Sequence, residues 1–344
     1  MAVTFQLTSD GRTSHIEVGR DLLSSYALPA RPDRSLVVVL HQPGSRHIAE
    51  RIGASLAAGY DVHSLGLPDR DQAKAWSEVA SLYEWLASTG LGRNDTIVGV
   101  GGGALTDVAG FVAATWLRGV ESAYVPTTLL GAVDAAIGGK TGINVAGKNL
   151  VGAFWHPASV VIDLGVLEAL PVALKREGFA EVVKAGFIAD PTIVEAFLRD
   201  GVDVALEDVV TPAVKVKVDV VSEDYREVGR RAILNFGHTI GHAIEFSSGM
   251  SHGDAVAVGM VAAGAISEAR YGCALPIRAA LERLGLPVSA HGRADEFLEL
   301  VRLDKKRDSG GVRMVLLTDL GAPVVDHVST DELRIGLSAI GVAS

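Results

Sequence analysis

Three histidines are the residues of this chain best suited to chemistry. His238 and His242 are four residues apart in a segment typical of a helix, so both side chains should project from one face. His252 follows after a short segment that contains Gly249 and predicts a turn. Three of the ten histidines thus fall within fifteen residues. This clustering indicates a metal or acid–base centre, and the alternative is a helix whose histidines make only structural hydrogen bonds in the core.

A carboxylate for the same centre is available on an earlier predicted helix. Glu181 and Lys184 are one turn apart in an otherwise apolar segment. Such pairs are usually exposed, but the apolar neighbours predict burial, where an unpaired charge is costly. Glu181 with His238 and His252 would give three protein ligands and one open position, the pattern of catalytic zinc. A zinc protease is excluded because Thr239 stands where the H-E-x-x-H motif needs glutamate.

Glycine-rich segments predict a second kind of site. Gly101-Gly102-Gly103 follows a predicted strand and opens a helix, a place that favours a pyrophosphate, although a tight turn is the alternative. Gly138-Gly139-Lys140-Thr141 resembles the end of a P-loop, but that motif needs glycine where Asp134 stands, which disfavours a nucleotide triphosphatase. The lysines of this run and of Gly147-Lys148-Asn149 still predict a receptor for phosphate or carboxylate.

Basic residues accumulate close to the histidines in the sequence. They are Lys215, Lys217, Arg230 and Arg231, and the run Asp304-Lys305-Lys306 appears later in the chain, in a segment typical of a loop. Each of them alone is typical of a surface charge, but together, beside a candidate metal site, they indicate an anionic substrate.

Composition limits the class of protein. The 344 residues carry a formal net charge of −10 and no opposing basic run, which argues against nucleic acid as a partner. The single cysteine, Cys273, excludes an intrachain disulfide and fits a reducing cytoplasm. The sequence shows no signal-peptide pattern and no apolar run of the ~18–20 residues that span a bilayer. We therefore expect a cytoplasmic protein without a membrane partner.

The order of predicted elements indicates an α/β domain followed by a helical domain. The apolar runs 36–40 and 96–100 are typical of strands in a mainly parallel sheet, and helices are predicted between them near 48–58 and 71–89. From about Pro171 the pattern is mainly helical, with one late strand at 312–317 and helices at 177–188, 192–199, 211–222, 233–246, 255–271 and 277–284. We therefore predict domains of residues 1–170 and 171–344.

Taken in order, these motifs resemble those of the 3-dehydroquinate synthases, a family within the sugar phosphate cyclases. The matching residues are Gly101-Gly102-Gly103 with Asp107 and Gly110-Phe111, Arg118-Gly119, Pro126-Thr127-Thr128-Leu129-Leu130, Asp134, Gly138-Gly139-Lys140-Thr141, Gly147-Lys148-Asn149 with Gly152-Ala153-Phe154, Ala180-Glu181-Val182-Val183-Lys184, Asn235-x-Gly237-His238-Thr239-x-Gly241-His242-Ala243-x-Glu245, His252-Gly253 and Asp304-Lys305-Lys306. So many spaced motifs in one order are far more specific than any single glycine loop.

The resemblance implies an NAD-binding α/β domain, a helical metal-binding domain and an active site in the cleft between them. It implies a metal, usually Zn²⁺ with Co²⁺ as the alternative, held by Glu181, His238 and His252. The residues implied for NAD are Asp69, Asp71, Lys74, Gly102, Gly103, Asp107, Thr127, Thr128, Lys140 and Lys148. Those implied for the substrate and catalysis are Arg118, Asp134, Lys140, Asn149, Lys184, Lys217, Arg231, Asn235, His242 and Lys305. Arg118 resembles a residue that reaches a phosphate site across a dimer interface, so a homodimer is expected.

The implied activity is that of a carbon–oxygen lyase acting on phosphates. It converts 3-deoxy-D-arabino-heptulosonate 7-phosphate into 3-dehydroquinate and phosphate, in the shikimate route to aromatic amino acids, and NAD is regenerated in each cycle. One alternative is a sister cyclase that makes a valiolone or a deoxy-inosose, and another is a glycerol-dehydrogenase-like oxidoreductase with net NADH production. The synthase is favoured because the residue types that meet the substrate carboxylate are retained at Asn149, Arg231, His242 and Lys305.

Overall fold

The computed structural model describes residues 2–304 and 312–342, and within these ranges it has eleven strands and twelve α-helices. The strands are β1 (Val3–Ser9), β2 (Arg12–Gly19), β3 (Leu36–His41), β4 (Asp61–Gly66), β5 (Thr96–Gly101), β6 (Glu121–Pro126), β7 (Lys140–Ile143), β8 (Val151–Phe154), β9 (Ser159–Asp163), β10 (Val312–Asp319) and β11 (Ala322–Val328). The helices are α1 (Arg46–Leu56), α2 (Trp76–Thr89), α3 (Gly103–Thr115), α4 (Leu164–Glu168), α5 (Val172–Ile188), α6 (Pro191–Asp200), α7 (Leu206–Glu223), α8 (His238–Ser248), α9 (His252–Tyr271), α10 (Ile277–Arg283), α11 (Ala294–Asp304) and α12 (Thr330–Ala339). Each helix and strand predicted above corresponds to one of these elements, with its ends shifted by a few residues.

Seven strands form one sheet in the order β1-β2-β9-β6-β5-β3-β4, and every neighbouring pair except β1–β2 is parallel. β5 is buried along its whole length and β3 along all but His41, as expected for strands covered on both faces. The carboxyl ends of β5 and β6 lead directly into Gly102 and Thr127. Ligands of parallel α/β sheets bind at this edge, so the sheet places predicted cofactor residues where a cofactor can reach them.

The first hairpin was not predicted from the sequence. Asp10 and Gly11 connect β1 to β2 with φ angles of 49° and 72°. A two-residue type I′ turn requires such positive values, and Asp-Gly is one of its preferred sequences. The burial of β2 alternates as expected for a strand with one face on the core. The Asp-Gly pair between two alternating segments was therefore the missed signal.

A close contact between α8 and α9 determines where α8 begins. A Cβ atom at Gly259 would lie 2.0 Å from the carbonyl oxygen of Gly237, so the two backbones touch at this point. Phe236, with a ψ of 127°, ends the 3-10 helix Arg230–Asn235, and Gly237, with a φ of 80°, separates that helix from α8. The helix predicted over 233–246 therefore starts five residues too early, because its actual first residue is His238.

The chain forms two compact units. The first comprises Met1–Leu170 and Lys217–Arg226, and the second comprises Pro171–Val216 and Glu227–Ser344. Lys217 thus lies in the first unit, although the predicted domain boundary put it in the second. The seven-stranded sheet and helices α1 to α4 belong to the first unit. Most of the other helices and the β10–β11 hairpin belong to the second unit. The predicted fold class, a mainly parallel α/β part followed by a helical part, is confirmed.

In the part of the chain that the structure describes, no helix combines the length and the apolar character that crossing a membrane requires.

Candidate active site

Glu181, His238 and His252 meet in the second unit. The Nε2 atoms of His238 and His252 lie 3.5 and 3.4 Å from the same carboxylate oxygen, Oε1 of Glu181. One potential ligand atom from each of the three residues lies within 4.8 Å of the others. The first turn of α9 reaches α5 at Gly253, where a Cβ atom would lie 2.2 Å from the carbonyl oxygen of Glu177. This contact brings His252, the residue before Gly253, next to the helix that carries Glu181.

The two carboxylate oxygens of Glu181 face different partners. Lys184 contacts Oε2, whereas both imidazoles face Oε1. The side chain of Glu181 is 1% exposed, and among the described residues neither oxygen accepts a hydrogen bond of good geometry. Since a buried acceptor without a hydrogen bond is costly, the arrangement fits a cation bound at Oε1.

The second ring nitrogen of each histidine has its own partner. Nδ1 of His238 lies 3.2 Å from the carbonyl oxygen of Phe236, and Nδ1 of His252 lies 3.0 Å from Oε2 of Glu245. With hydrogen on Nδ1, each imidazole keeps Nε2 free to bind a metal, as metal-bound histidines do. Glu245 belongs to the family motif, but no role was predicted for it. Its spacing of seven residues from His238 and three from His242 puts all three on one helix face, and this was the available signal.

The surroundings of the centre keep two of its three residues, Glu181 and His238, in the protonation state that can bind a metal. Burial opposes the ionisation of Glu181, but Lys184 and then the imidazoles hold the pKa of this carboxyl well below its usual range. Burial, followed by Lys184, lowers the pKa of His238 to about 3, so this imidazole is neutral. Burial opposes the charged form of His252 as well, but the neighbouring carboxylates of Glu181 and Glu245 raise its pKa to about 10. A metal ion that binds here must therefore displace a proton from His252.

His242 lies beside this centre and is exposed. Its ring centroid is 5.3 Å from that of His238 and 6.0 Å from that of His252. His242, Glu245 and His252 also form a group whose potential ligand atoms lie within 4.8 Å of one another. Glu245 is already hydrogen-bonded to His252, however, so we assign the metal to the group that contains the buried carboxylate of Glu181.

Removing Glu245 tests whether it orients His252. Glu245→Ala takes away the acceptor for Nδ1 of His252, and we expect the zinc affinity to fall about 10- to 100-fold. Competition with a chelator measures the zinc dissociation constant, and Glu268→Gln, an exposed glutamate on α9, is the control. Equal zinc affinity in the alanine variant and the wild type would show that Glu245 has no such role.

Lys74, Asp107 and Asn149 meet in the first unit. Nζ of Lys74 lies 2.5 Å from Oδ2 of Asp107 and 2.6 Å from Oδ1 of Asn149, and the lysine side chain is 4% exposed. The side chain of Asn144 fixes the loop that carries Asn149. It accepts a hydrogen bond from the N–H of Asn149 at 3.0 Å and donates one to the carboxylate of Asp71 at 2.7 Å. Three predicted NAD residues and one predicted substrate residue are thus brought together.

The partly buried carboxyl of Asp107 makes stability depend on pH. Burial raises the pKa of Asp107 to about 6, which Lys74 offsets only in part. Between its ordinary pKa of 3.8 and about 6 the folded protein holds a proton that the unfolded chain has lost, so stability should fall as pH rises, by at most about 1.4 kcal/mol per pH unit. The side chain of Asp107→Asn cannot titrate. As the pH is raised through this interval, the free energy of unfolding of the variant should therefore increase relative to that of the wild type. Urea unfolding at several pH values measures this, and parallel pH profiles would contradict it.

Other predicted cofactor residues lie along one edge of the sheet. Gly102 and Gly103 begin α3 directly after β5, so the predicted strand–turn–helix arrangement is present. The N–H of Thr127 donates to the carbonyl oxygen of Gly101 at 2.9 Å, which joins the ends of β5 and β6. Thr128 is half-buried, and the remaining predicted NAD residues with exposed side chains are Asp69, Lys140 and Lys148.

The predicted substrate residues fall in both units. Lys217 contacts Asp134 in the first unit, and the lysine side chain is 9% exposed. In the second unit Arg231 is fully buried on the 3-10 helix Arg230–Asn235, and Nδ2 of Asn235 donates to Glu227 at 2.9 Å. Arg118, also predicted for the substrate, is exposed at a turn and has a φ of 66°. Lys305 lies outside the described residues.

The chain matches two family models. Residues 64–177 match the 3-dehydroquinate synthase N-terminal domain, and residues 178–307 match the 3-dehydroquinate synthase C-terminal domain. Together these matches cover most of the chain.

Individual proteins agree with the family models. The 3-dehydroquinate synthase of Thermobifida fusca is 46% identical over 335 residues, covering 92% of this chain and 90% of the relative. That of Mycolicibacterium vanbaalenii is 48% identical over 324 residues, covering 89% of each. A crystal structure of 2-deoxy-scyllo-inosose synthase with carbaglucose-6-phosphate, NAD⁺ and Co²⁺ is 27% identical, has a TM-score of 0.88, and covers 99% of this chain and 100% of that one. On this evidence the chain belongs to the 3-dehydroquinate synthase family of enzymes.

Proposed function

We propose that this enzyme converts 3-deoxy-D-arabino-heptulosonate 7-phosphate into 3-dehydroquinate and phosphate, as in the shikimate route. The convergence of Glu181, His238 and His252 carries the proposal, since it supplies a metal-ligand set in a chain 46% and 48% identical to two 3-dehydroquinate synthases. Identity to 2-deoxy-scyllo-inosose synthase is 27%, which disfavours the sister cyclases. A glycerol-dehydrogenase-like oxidoreductase would not need the many cationic side chains of this chain.

The metal that we propose for the centre is Zn²⁺. Two imidazole nitrogens and one carboxylate oxygen fit tetrahedral zinc with one open position. Co²⁺ is the alternative, because the solved 2-deoxy-scyllo-inosose synthase holds it. When bound, the metal would serve as a Lewis acid toward a substrate oxygen. Glu245 and the carbonyl oxygen of Phe236 would keep the two imidazoles in the orientation that the ligand set needs.

The cofactor that we propose for the first unit is NAD. The backbone N–H groups at the start of α3 suit its pyrophosphate, and the ion pair of buried Lys74 with partly buried Asp107 lies beside the loop that holds Asn149. When bound, NAD would take a hydride from the substrate and return it later, so that no NADH accumulates. The proposed NAD residues are Asp69, Asp71, Lys74, Gly102, Gly103, Asp107, Thr127, Thr128, Lys140 and Lys148.

The substrate carries a carboxylate and a phosphate, and we assign buried cations to them. Lys184, Lys217 and Arg231 are each largely buried, so water screens their charges weakly and their attraction for an anion is strong. Asp134 is assigned to a substrate hydroxyl, and the exposed ring of His242 to substrate binding or proton transfer. The rest of the proposed set is Arg118, Lys140, Asn149, Asn235 and Lys305, with Arg118 reaching a partner subunit's site in a cytoplasmic homodimer.

Two phosphate esters test the proposed substrate. With catalytic NAD and zinc, we expect phosphate release from the heptulosonate phosphate and at least about 100-fold slower release from glucose 6-phosphate, because cations placed for a carboxylate would be left unpaired. Gln substitutions at exposed acidic positions such as Glu268 provide the control for nonspecific charge effects. Faster release from glucose 6-phosphate would replace the proposal with a sister cyclase, and NADH formation without phosphate release would replace it with a dehydrogenase.

A further inference from the structure

A cluster of aromatic rings in the first unit has no part in the proposed chemistry. Tyr225, two residues beyond α7, stacks on His156 with ring centroids 4.3 Å apart, and it meets Phe154 edge-on at 5.2 Å. Tyr225 and His156 are 7% and 3% exposed. Nε2 of His156 lies 2.5 Å from Oγ of Ser9, at the end of the first hairpin. The cluster therefore joins three segments that are far apart in the sequence.

Tyr225 packs against the glycine-rich loop that leads to Lys140. A Cβ atom at Gly139 would lie 2.8 Å from Oη of Tyr225 and 3.1 Å from its Cε2, so the ring lies directly on the loop backbone. The N–H of Trp155 donates to the carbonyl oxygen of Gly139 at 2.7 Å, and Lys140 pairs with Phe154 between β7 and β8. The residues that hold the tyrosine thus also hold this loop.

The same ring restrains the end of helix α7. Lys217, on the last two turns of this helix, contacts Asp134. The N–H of Asp224 donates to the carbonyl oxygen of Val220 at 3.2 Å, so the helical hydrogen bonding continues to the residue before Tyr225. Movement of Tyr225 would therefore be transmitted along the helix to Lys217.

A neighbouring ion pair adds little to this restraint. Arg226 contacts Asp10 at the tip of the first hairpin, but their side chains are 57% and 46% exposed. Solvent-exposed ion pairs contribute little to stability. The buried stack of Tyr225 on His156 is therefore the main attachment.

We infer that Tyr225, supported by His156, is a positioning residue that fixes Lys217 opposite Asp134 and holds the loop before Lys140. The inference rests on the proposed function, in which Lys140 and Lys217 bind NAD and substrate. A misplacement of about 1 Å caused by a residue away from the chemistry can lower catalytic efficiency about 100-fold. Tyr225 needs no contact with the substrate to have such an effect.

Three variants separate positioning from general stability. Tyr225→Ala should raise the NAD dissociation constant and the KM for the heptulosonate phosphate about tenfold each, and lower kcat/KM about 10- to 100-fold. Tyr225→Phe keeps the ring contacts, so its NAD dissociation constant and its KM should equal those of the wild type. Tyr60→Ala removes a partly buried tyrosine elsewhere in the same unit and controls for lost packing.

The result that overturns the inference is a folded Tyr225→Ala protein with the wild-type NAD dissociation constant and KM. A merely structural role would lower Tm and leave both constants unchanged. If Tyr225→Ala does not fold, His156→Ala decides, because it removes the stacking partner and keeps the tyrosine: weaker NAD binding supports the inference, and unchanged binding overturns it. NAD titration needs no turnover, so this failure is distinct from failure of the proposed reaction, which would appear as no phosphate release by the wild type.

Discussion

Glu181→Gln should lose its bound zinc and, with it, activity. The amide has the shape of the carboxylate but not the negative charge that faces the two imidazoles at Oε1. We expect the zinc affinity to fall by more than the 10- to 100-fold that loss of a supporting partner causes. Turnover should fall by at least about 10³-fold, since a catalytic metal supplies several kcal/mol of transition-state stabilisation. Metal content after dialysis and phosphate release measure the two effects.

Two further variants make this result interpretable. Glu181→Gln leaves the buried Lys184 without its counter-ion, and such a loss can itself unfold a protein. The double variant Glu181→Gln/Lys184→Met removes both charges, so zinc content can be compared in a neutral site. His242→Ala changes an exposed histidine beside the centre and should keep its zinc. Stoichiometric zinc in folded Glu181→Gln would refute the ligand set.

Lys184→Met should keep zinc and lose activity. Lys184 contacts Oε2 of Glu181, the oxygen opposite the one that faces the imidazoles. Removing the ammonium leaves Oε1 available and removes a repelling charge, so zinc should bind at least as tightly as in the wild type. Turnover should fall about 10²- to 10³-fold, because a buried cation proposed for the substrate is gone. Zinc titration with kcat/KM determination separates the two effects.

The stability of Lys184→Met provides an independent check. Without metal, the variant holds a buried carboxylate with no lysine partner, and it should be about 3–5 kcal/mol less stable than the metal-free wild type. Zinc should recover most of this difference, because it supplies the missing positive charge. Urea unfolding with and without zinc measures both values. A variant that neither binds zinc nor is stabilised by it would contradict the separate roles of the two oxygens.

Much of the candidate metal centre could be predicted from local sequence. The four-residue spacing of His238 and His242, and the apolar neighbours of Glu181, predict a shared helix face and a buried carboxylate. The orientation of His252 could not be predicted in the same way, because it depends on the turn between α8 and α9 and on Glu245. The packing of the tertiary structure likewise determines which carboxylate oxygen of Glu181 faces Lys184.

The fold shows the same division between local and tertiary information. Apolar runs such as 36–40 predict buried strands because each strand carries its own pattern. The helical spacing of apolar residues carries no information about the positive φ of Gly237, so α8 was predicted to start too early. Nor does it show which unit the end of a helix packs against, so a single boundary at residue 170 does not reproduce the grouping of Lys217–Arg226 with the first unit.

One reaction mixture tests most directly whether this enzyme uses NAD as a catalyst and releases phosphate. It contains the wild-type protein, zinc, the heptulosonate phosphate and NAD at a small fraction of the substrate concentration, with phosphate and absorbance at 340 nm followed together. We expect many phosphates released for each NAD and no net NADH, because the hydride returns to the substrate in each cycle. NADH formed in proportion to product, or no phosphate at all, would contradict the proposed reaction.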